Sequence, residues 1–418
     1  MPGVGDKRDV TSVENSESTE ANVLKKCKIS DEPQELNQAE TVADADDRIM
    51  GAEQKWKLKK FAMCIMYCGQ GYFGLQRNPG MKTIEEDLLK ACLNAGLISE
   101  DCYNNPQNMM FQRAARTDKG VSAARQVLSL KLPTTRGTPE QMVRAINMNL
   151  VDQIRVVGLK RVTKHFNSKN NADARTYSYI MPTFAFAPPD SVADEKYRIT
   201  AERVEKANDY LKLYLGSHNY HNFTAGKLPT DASAMRYIKE IECGQPFLVG
   251  KFEYVQIRVK GQSFMLHQIR KMIGLVIAIM RGHTTHAIIK RAWGPEKLDI
   301  PKAPSLGLML EQVHYDRYNN QYGGDGLHEE LTWVECQPEI HTFKHERIYP
   351  NIWTTEENED SMISWMTYLS LHSYEVREHE AHPTLMQQLH EEDLCEGHAD
   401  ENDVNLSEKT TKIKNEKG

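Results

Sequence analysis

The sequence predicts an α+β fold, and three observations lead to this prediction. Between residues 59 and 159, the spacing of apolar side chains changes in the order strand, helix, strand, helix, strand. In the second half, runs with strand spacing at residues 173–180, 252–259 and 308–313 are separated by runs with helical spacing. Hydrophobic residues make up 40% of the chain, which is enough to bury a sizeable core.

Each element of the first half has its own local signal. Strands are indicated by buried or alternating apolar runs at residues 61–67, 126–132 and 154–159. Thr83 and Glu86 have the spacing of a capping box at the start of a helix, and Gly96 marks its end. Pro139 lies in the first turn of the next predicted helix, where a missing N–H is tolerated.

The second half adds strands and a strongly apolar helix. Strands are predicted over residues 173–180, 236–238, 252–259 and 308–313. A helix begins at Thr200 and ends at Gly216, and a polar-aromatic loop follows over residues 216–224. Further helices are predicted over residues 265–280, 285–293 and 359–371.

Two cations interrupt the apolar helix over residues 265–280. A buried arginine needs a partner, so Arg270 has two possible placements. It lies with Lys271 on the solvent side of the helix start, or it faces a carboxylate in a cleft. The sequence pattern alone leaves both open.

Charge is unevenly distributed, although the formal net charge of the chain is −6. Residues 1–50 carry 6 basic and 12 acidic side chains, and residues 375–418 carry 5 and 12. The central residues 51–374 therefore carry 41 basic and 34 acidic side chains. A basic core between acidic tails suits a polyanionic partner such as nucleic acid, although a solvated surface can average to the same value.

The cysteines and termini indicate a reducing compartment. None of the eight cysteines has Cys-x-x-Cys spacing, so buried thiols are expected. Cys64 and Cys68 could bind zinc with a distant histidine, which is the weaker interpretation. We expect no membrane span and no signal segment. Basic clusters at residues 25–28 and 55–60 could address a nucleus.

One loop carries a candidate catalytic carboxylate. Asp118 lies between Arg116 and Lys119, and Gly120 follows before a predicted strand. Nearby positive charge favours the ionised carboxylate, which can act as a nucleophile or a general base. The alternatives are a surface salt-bridged turn and an aspartyl-phosphate enzyme. The second lacks a following Thr-Gly-Thr and a second acidic motif.

The pattern Arg116-Thr117-Asp118-x-Gly120-Val121-x-Ala123 resembles the catalytic signature of TruA-type tRNA pseudouridine synthases. Other blocks are similar to that family in the same order, at residues 67–76, 83–85, 174–179, 216–223 and 263–274. Residues 166–170, 182–187 and 261–276 resemble its eukaryotic nuclear and mitochondrial branch. The resemblance covers roughly residues 58–375. Ala115, Ser122 and Lys119 depart from the bacterial pattern and agree with the eukaryotic one.

The resemblance implies two mixed α/β sub-domains that form one continuous antiparallel sheet platform with a basic RNA-binding cleft. The sub-domain boundaries that we predict are residues 55–165, which carry Asp118, and residues 166–345, which carry Tyr177 and Arg270. The remaining predicted segments are a helical extension over residues 346–374 and disordered acidic tails over 1–54 and 375–418.

The resemblance also implies a reaction, namely conversion of a uridine to pseudouridine after the base is flipped out of its stack. Asp118 would be the nucleophile, Arg270 its ionic partner, and Tyr177 the wall of the base pocket, with a possible part in removing the C5 proton. No metal or other cofactor is expected. Further RNA contacts are predicted at Arg116, Lys119, Tyr72, His218, Asn222, Phe223, His267 and Lys271.

The expected partner is tRNA, with mRNA, snRNA and other structured RNAs as further candidates. A non-catalytic RNA-binding protein on the same scaffold is the alternative, but RNA binding alone needs no ionised nucleophile. A monomer is favoured over an oligomer. The expected location is the nucleus, with mitochondrion and cytoplasm as additional compartments.

Overall fold

The computed structural model of the protein describes residues 56–375. The predicted disordered tails lie outside the described residues, apart from Glu375, and so does the first basic cluster. Within the described range, no helix is long and apolar enough to cross a membrane.

The described residues form ten strands and ten α-helices. The strands are β1 (Leu58–Tyr67), β2 (Gln112–Arg113), β3 (Ser122–Pro133), β4 (Ile154–Arg161), β5 (Ala174–Pro182), β6 (Gly216–Asn219), β7 (Met235–Cys243), β8 (Phe247–Val249), β9 (Phe252–Gly261) and β10 (Leu308–His314). The helices are α1 (Ile84–Asn94), α2 (Glu100–Asn104), α3 (Pro139–Asn147), α4 (Ala201–Lys212), α5 (Gln268–Met280), α6 (Ala287–Arg291), α7 (Asp316–Tyr322), α8 (Gln337–Phe343), α9 (Tyr349–Glu359) and α10 (Ser361–Met366).

All ten strands belong to one sheet, whose main path runs β4-β1-β3-β10-β5-β9-β7-β6. The predicted α+β class and the continuous sheet are therefore confirmed. The sheet is mixed rather than wholly antiparallel, because β3 and β10 pair in parallel through Ser122–Met309 and Ala123–Leu310. No short hairpin links these two strands, so the chain can bring them together in either direction. The sub-domain boundaries stay a prediction.

The two faces of the sheet carry different layers. We call front the face from which the side chains of Gln126 and Tyr177 project, and back the face of Ser178, since successive strand residues alternate. On the back face, Ser178 donates to Glu311, which binds Lys344 at 2.8 Å. Trp353 also packs there on Tyr254, with ring centroids 4.5 Å apart. Residues from α9 and the segment before it thus cover the back, and the candidate site lies on the front.

Most sequence-predicted elements are present, and the exceptions have physical causes. The helix predicted over residues 359–371 is shorter in the structure, where α10 spans only Ser361–Met366 and Asp360, with a positive φ of 48°, separates it from α9. The apolar helix begins three residues later than predicted, since His267 has a φ of 61°. The predicted loop at residues 216–224 begins with the short strand β6.

Candidate active site

Asp118 lies on a loop that is pressed against a second loop. We call residues 114–121 the Asp118 loop and residues 69–76 the glycine loop. At Gly74, where φ is +89°, a Cβ atom would lie 2.7 Å from the carbonyl oxygen of Thr117. The absence of a side chain therefore allows the two backbones to touch directly beside Asp118.

Backbone hydrogen bonds fix this contact. The N–H of Leu75 donates to the carbonyl of Thr117 at 3.1 Å, and the N–H of Gly120 donates to the carbonyl of Tyr72 at 3.2 Å. These bonds bracket Asp118 on both sides. The glycine loop thus acts as a backbone support for the carboxylate.

Two side chains on the front face, those of Tyr67 and Gln126, connect the Asp118 loop to the sheet. The hydroxyls of Tyr67 and Thr117 share a hydrogen bond of 2.8 Å. The Gln126 amide donates to the carbonyl of Ala115 at 2.8 Å and accepts from its N–H at 3.3 Å. Both supporting residues are fully buried, so the loop is tied to the sheet on each side of Asp118.

The partners of Asp118 come from the start of α5, in the other half of the chain. Its Oδ2 lies 3.7 Å from a terminal nitrogen of Arg270 and 3.8 Å from Nε2 of His267. The Asp118 side chain is 13% exposed, so the carboxylate remains reachable. Of the two placements open for Arg270, the structure shows the one that faces a carboxylate.

The Arg270 side chain is itself anchored to backbone. Its Nε donates to the carbonyl of Ala303 at 2.7 Å. One helical turn later, Gly274 allows the same loop to approach, because a Cβ there would lie 2.3 Å from the carbonyl oxygen of Pro301. The spacing of Arg270 and Gly274 therefore fixes the guanidinium direction through the contact of α5 with this loop.

Tyr177 lies on β5 beside this cluster and is 7% exposed. Its ring meets that of Phe264 edge to face, with centroids 5.3 Å apart. Burial raises the pKa of the Tyr177 hydroxyl well above its usual value; the positive charge of Arg175 opposes this effect, and the charge of Asp118 adds to it. At neutral pH Tyr177 is therefore a neutral phenol, which suits an aromatic wall.

Arg175 is a site residue that the sequence analysis did not assign. Its buried guanidinium donates to the backbone carbonyls of Ala114 at 2.8 Å, Lys169 at 2.9 Å and Gln262 at 2.9 Å. Ala114 begins the Asp118 loop, and Gln262 precedes the segment that leads to α5. Arg175 thus ties the two halves of the site together. A charged residue in an apolar strand was visible in sequence, but its carbonyl acceptors were not.

Three of the predicted RNA-contact residues lie within two residues of Asp118 or Arg270 in the sequence. Arg116 and Lys119 are exposed on the Asp118 loop, and the amino group of Lys119 lies 4.8 Å from the Phe73 ring centroid. Lys271 follows Arg270 and is half-buried. Of the predicted contact residues, His267 lies beside Asp118, and RNA contact by all four residues stays a prediction.

Tyr72, Asn222 and Phe223 are placed differently from the prediction. Tyr72 is 1% exposed and its hydroxyl donates to Asp87 at 2.6 Å, so its side chain supports α1. Asn222 and Phe223 are fully buried, and the Asn222 amide donates to the carbonyl of Ala292 at 3.0 Å. Side chains in these interior positions cannot contact RNA.

His218 also lies apart from Asp118. It is on β6, the outer strand, which is five strand spacings from β3 and hence roughly 24 Å across the sheet. Its ring stacks on Trp293 with centroids 3.7 Å apart. In this position His218 packs the sheet edge rather than the catalytic cluster.

Among the described residues, no group of three or more His, Cys, Asp or Glu side chains could hold a metal ion. Cys64 and Cys68 are buried free thiols, and burial raises the pKa of each. This geometry gives no support to the zinc interpretation of these two cysteines.

With this geometry established, the chain was compared with known proteins. It is 51% identical over 316 residues to a human protein called pseudouridylate synthase 1 homolog, covering 75% of this chain and 73% of that protein. The mouse protein of the same name is 48% identical over 336 residues, which is 78% of each chain. The chain belongs to the tRNA pseudouridine synthase family. A tRNA pseudouridine synthase 1 from Yarrowia lipolytica is 33% identical over 414 aligned positions, covering 79% of this chain and 78% of that protein.

The family assignment confirms the resemblance drawn from the sequence blocks. Residues 211–316 match the family profile described as tRNA pseudouridine synthase. This range includes Arg270 and His267 but neither Asp118 nor Tyr177. The positions of Asp118 and Tyr177 in the site of this pseudouridine synthase therefore rest on the structure of the chain itself.

Proposed function

We propose that this protein isomerises uridine to pseudouridine in tRNA, with Asp118 as the nucleophile. The observation that carries the proposal is the convergence of Asp118 from one half of the sheet with Arg270, 3.7 Å away, from the other. Relatives whose names state tRNA pseudouridine synthase support the substrate. The confirmed family makes the reaction class the expected one.

The reaction is an isomerisation, so its atoms balance without an oxidant or reductant. The C1′–N1 bond of the uridine breaks, the uracil turns, and a C1′–C5 bond forms. C5 loses a proton and N1 gains one. In this proposal, Asp118 bonds to C1′ as the C1′–N1 bond breaks, and that bond breaks again when C5 of the turned uracil attacks C1′. Arg270 orients and stabilises the Asp118 carboxylate, and Tyr177 forms a wall of the uracil pocket.

The raised pKa of Tyr177 limits its part in proton removal. Because its pKa is raised, the neutral phenol is a poor proton acceptor at neutral pH. The geometry therefore supports Tyr177 more strongly as the pocket wall. We propose that Tyr177→Phe retains tRNA binding, and its single-turnover rate measures how much the hydroxyl contributes to the chemical step.

The proposal is tested with tRNA carrying tritium at C5 of uridine. Wild-type protein should release tritium, and Asp118→Ala and the isosteric Asp118→Asn should release none above background. Both variants should still bind tRNA, because the carboxylate contributes no attraction to phosphates. Release by Asp118→Asn at the wild-type rate would contradict the nucleophile assignment. Binding without release by the wild-type protein would favour the non-catalytic alternative.

The range of RNA substrates is a finer proposal. We propose tRNA as the main substrate and mRNA and snRNA as further ones, because proteins often recognise RNA by shape and unpaired regions rather than by sequence. Mapping pseudouridine in total RNA from cells with and without the protein tests this. Loss of sites from tRNA alone would exclude the wider range.

Location and assembly also belong to the proposal. We propose a nuclear location, with mitochondrion and cytoplasm as further compartments, and a monomeric state. The second basic cluster is a poor linear signal, since Lys60 lies in β1, is 4% exposed and donates to the carbonyl of Met110. Of the two basic clusters, the one at residues 25–28 is therefore the candidate nuclear signal. Imaging a tagged chain with alanines there tests the location, and light scattering tests the monomer.

A further inference from the structure

Phe73 is an exposed aromatic side chain next to the candidate nucleophile. Its ring is 47% exposed, whereas the preceding Tyr72 is 1% exposed. Single exposed apolar residues are common on protein surfaces, so Phe73 is a candidate contact because of its position beside Asp118 rather than because of its exposure alone. The sequence analysis assigned RNA contact to Tyr72, and the structure presents its neighbour instead.

The backbone holds Phe73 firmly in this position. Its N–H donates to the carbonyl of Lys82 at 2.9 Å, and the next residue, Gly74, is the point at which the glycine loop meets Thr117. The backbone of Phe73 therefore cannot move inward without breaking the support of the Asp118 loop. Its exposure is a fixed feature of the site rather than a property of a loose loop.

Lys119 connects this ring to the reactive carboxylate. Its amino group lies 4.8 Å from the Phe73 ring centroid, within the distance of a cation–π contact. Since Lys119 directly follows Asp118 in the sequence, its side chain links the Phe73 ring to the segment that carries the carboxylate. A nucleoside that reaches Asp118 brings its chain neighbours close to this pair.

The surrounding charge suits RNA. Residues 71–82 and 110–122 together carry five basic side chains and a single acidic one, which is Asp118 itself. Two of these cations, Arg77 and Arg113, pair with the α1 residues Glu86 and Glu85. The basic side chains exposed at the surface are then Lys82, Arg116 and Lys119.

We infer that Phe73 is a stacking platform for an unpaired base next to the target uridine, and that Lys119 binds the phosphate beside that base. This inference rests on the proposed function. Flipping the uridine removes a stacking partner from its neighbour, and an exposed aromatic ring can replace that partner. Lys119 then exchanges its contact with the ring for a contact with a phosphate, as a lysine in a positively charged RNA groove does.

The test measures the tRNA dissociation constant at several salt concentrations, using an unmodified tRNA transcript. Phe73→Ala should raise the dissociation constant about tenfold, because loss of one base–aromatic stack has an effect of this order. The salt dependence should not change, since the ring carries no charge. Lys119→Ala should also weaken binding, and it should reduce the slope of log K against log salt by about one.

Conservative variants separate stacking from simple packing. Phe73→Trp should bind as tightly as the wild type, and Phe73→Leu should bind as weakly as Phe73→Ala, because leucine is apolar but has no π face. Tyr368→Ala is the matched control, since Tyr368 is 49% exposed on the segment after α10 and should leave binding unchanged. Melting temperatures of all variants show that they are folded.

The outcomes also separate this inference from the proposed function. The stacking role would be overturned if Phe73→Ala bound tRNA with wild-type affinity. It would also be overturned if Phe73→Ala bound weakly and Phe73→Leu bound with wild-type affinity. An unchanged salt slope in Lys119→Ala would overturn the phosphate contact. Each of these is read from binding alone. Failure of the wild-type protein to release tritium would instead overturn the isomerase proposal, while the binding results still test Phe73.

Discussion

The two halves of the candidate site are built in different ways. In the first half, Asp118 lies on a loop whose shape depends on backbone contact with the glycine loop, including the 2.7 Å approach at Gly74. In the second half, Arg270 and Tyr177 project from a helix start and a central strand and are almost completely buried. The nucleophile candidate is partly exposed on a loop that backbone contacts support, whereas its partners are buried, and Arg270 is also hydrogen-bonded to the carbonyl of Ala303.

This difference shows how an accessible carboxylate can still be placed accurately. The halves share only two paired positions where β3 meets β10, so side chains must carry much of the connection. Arg175 provides it by binding carbonyls on both sides. The site should therefore be sensitive to three kinds of change, at the ionic partner, at the connecting arginine and at the backbone contact.

The largest expected effect is at the ionic partner. Arg270→Met removes the group that faces Asp118, so the single-turnover rate of tritium release should fall by about 10²–10³, the usual effect of losing one preorganised electrostatic donor. Arg270→Lys should recover part of the rate, because lysine keeps the charge but lacks the planar fork that also reaches Ala303. A wild-type rate in Arg270→Met would show that the halves do not cooperate.

The next effect is at the connecting arginine. Arg175→Lys cannot satisfy all three carbonyls, so the free energy of unfolding should fall by about 3 kcal/mol in urea titrations. The tritium release rate should fall as well. Arg203→Lys is the matched control, since Arg203 donates to the carbonyls of Phe186 and Met280. It should lose stability and keep its rate. Equal losses of rate in both variants would mean that Arg175 has no special link to the site.

The backbone contact should give a smaller effect. Gly74→Ala and Gly80→Ala both place a side chain at positive φ, but only the first brings Cβ against another backbone, since Gly80 has nothing within 4 Å. Gly80→Ala should lose about 1 kcal/mol of stability from the backbone conformation. Gly74→Ala should lose about 2 kcal/mol more and should also slow tritium release. Indistinguishable variants would rule out the support role of the glycine loop.

The smallest effect on the reaction rate is expected on the back face, away from the site. Burial raises the pKa of Glu356 to about 7, and Asp360 adds to the rise, although the Met362 N–H donates to the carboxylate. The folded state therefore keeps a proton that the unfolded state releases near pH 4.5, so stability should fall as pH rises from about 4.5 to 7. This dependence concerns folding only.

Glu356→Gln removes that ionisation. Its melting temperature should be close to the wild-type value at pH 5 and higher at pH 8. The gain in unfolding free energy at pH 8 should be on the order of 1–3 kcal/mol. Glu359→Gln, at an exposed position at the end of α9, should show no such gain. Tritium release should be unchanged in both. A gain that is equal at the two pH values would contradict the buried-carboxylate explanation.

The sequence could predict elements with strong local signals, including β1, β3 and the helix that Pro139 begins. Charged residues in a loop and in an apolar helix made Asp118 and Arg270 candidates, but their predicted roles came from the family resemblance rather than from the local pattern. The direction of the β3–β10 pair, the acceptors of Arg175 and the exchange of roles between Tyr72 and Phe73 depend on tertiary contacts. Local sequence patterns do not show contacts between residues that are far apart in the chain.

The central claim is that Asp118 and Arg270, from opposite halves of the sheet, act as one unit. The most direct test is a double-mutant cycle on the single-turnover rate of tritium release from tRNA, with Asp118→Glu, which keeps a carboxylate so that a rate remains measurable, Arg270→Met and the double variant. If the two residues act together, the double variant should be no slower than the slower of the two single variants. Losses that multiply in the double variant would show that the two groups act independently and would contradict the account.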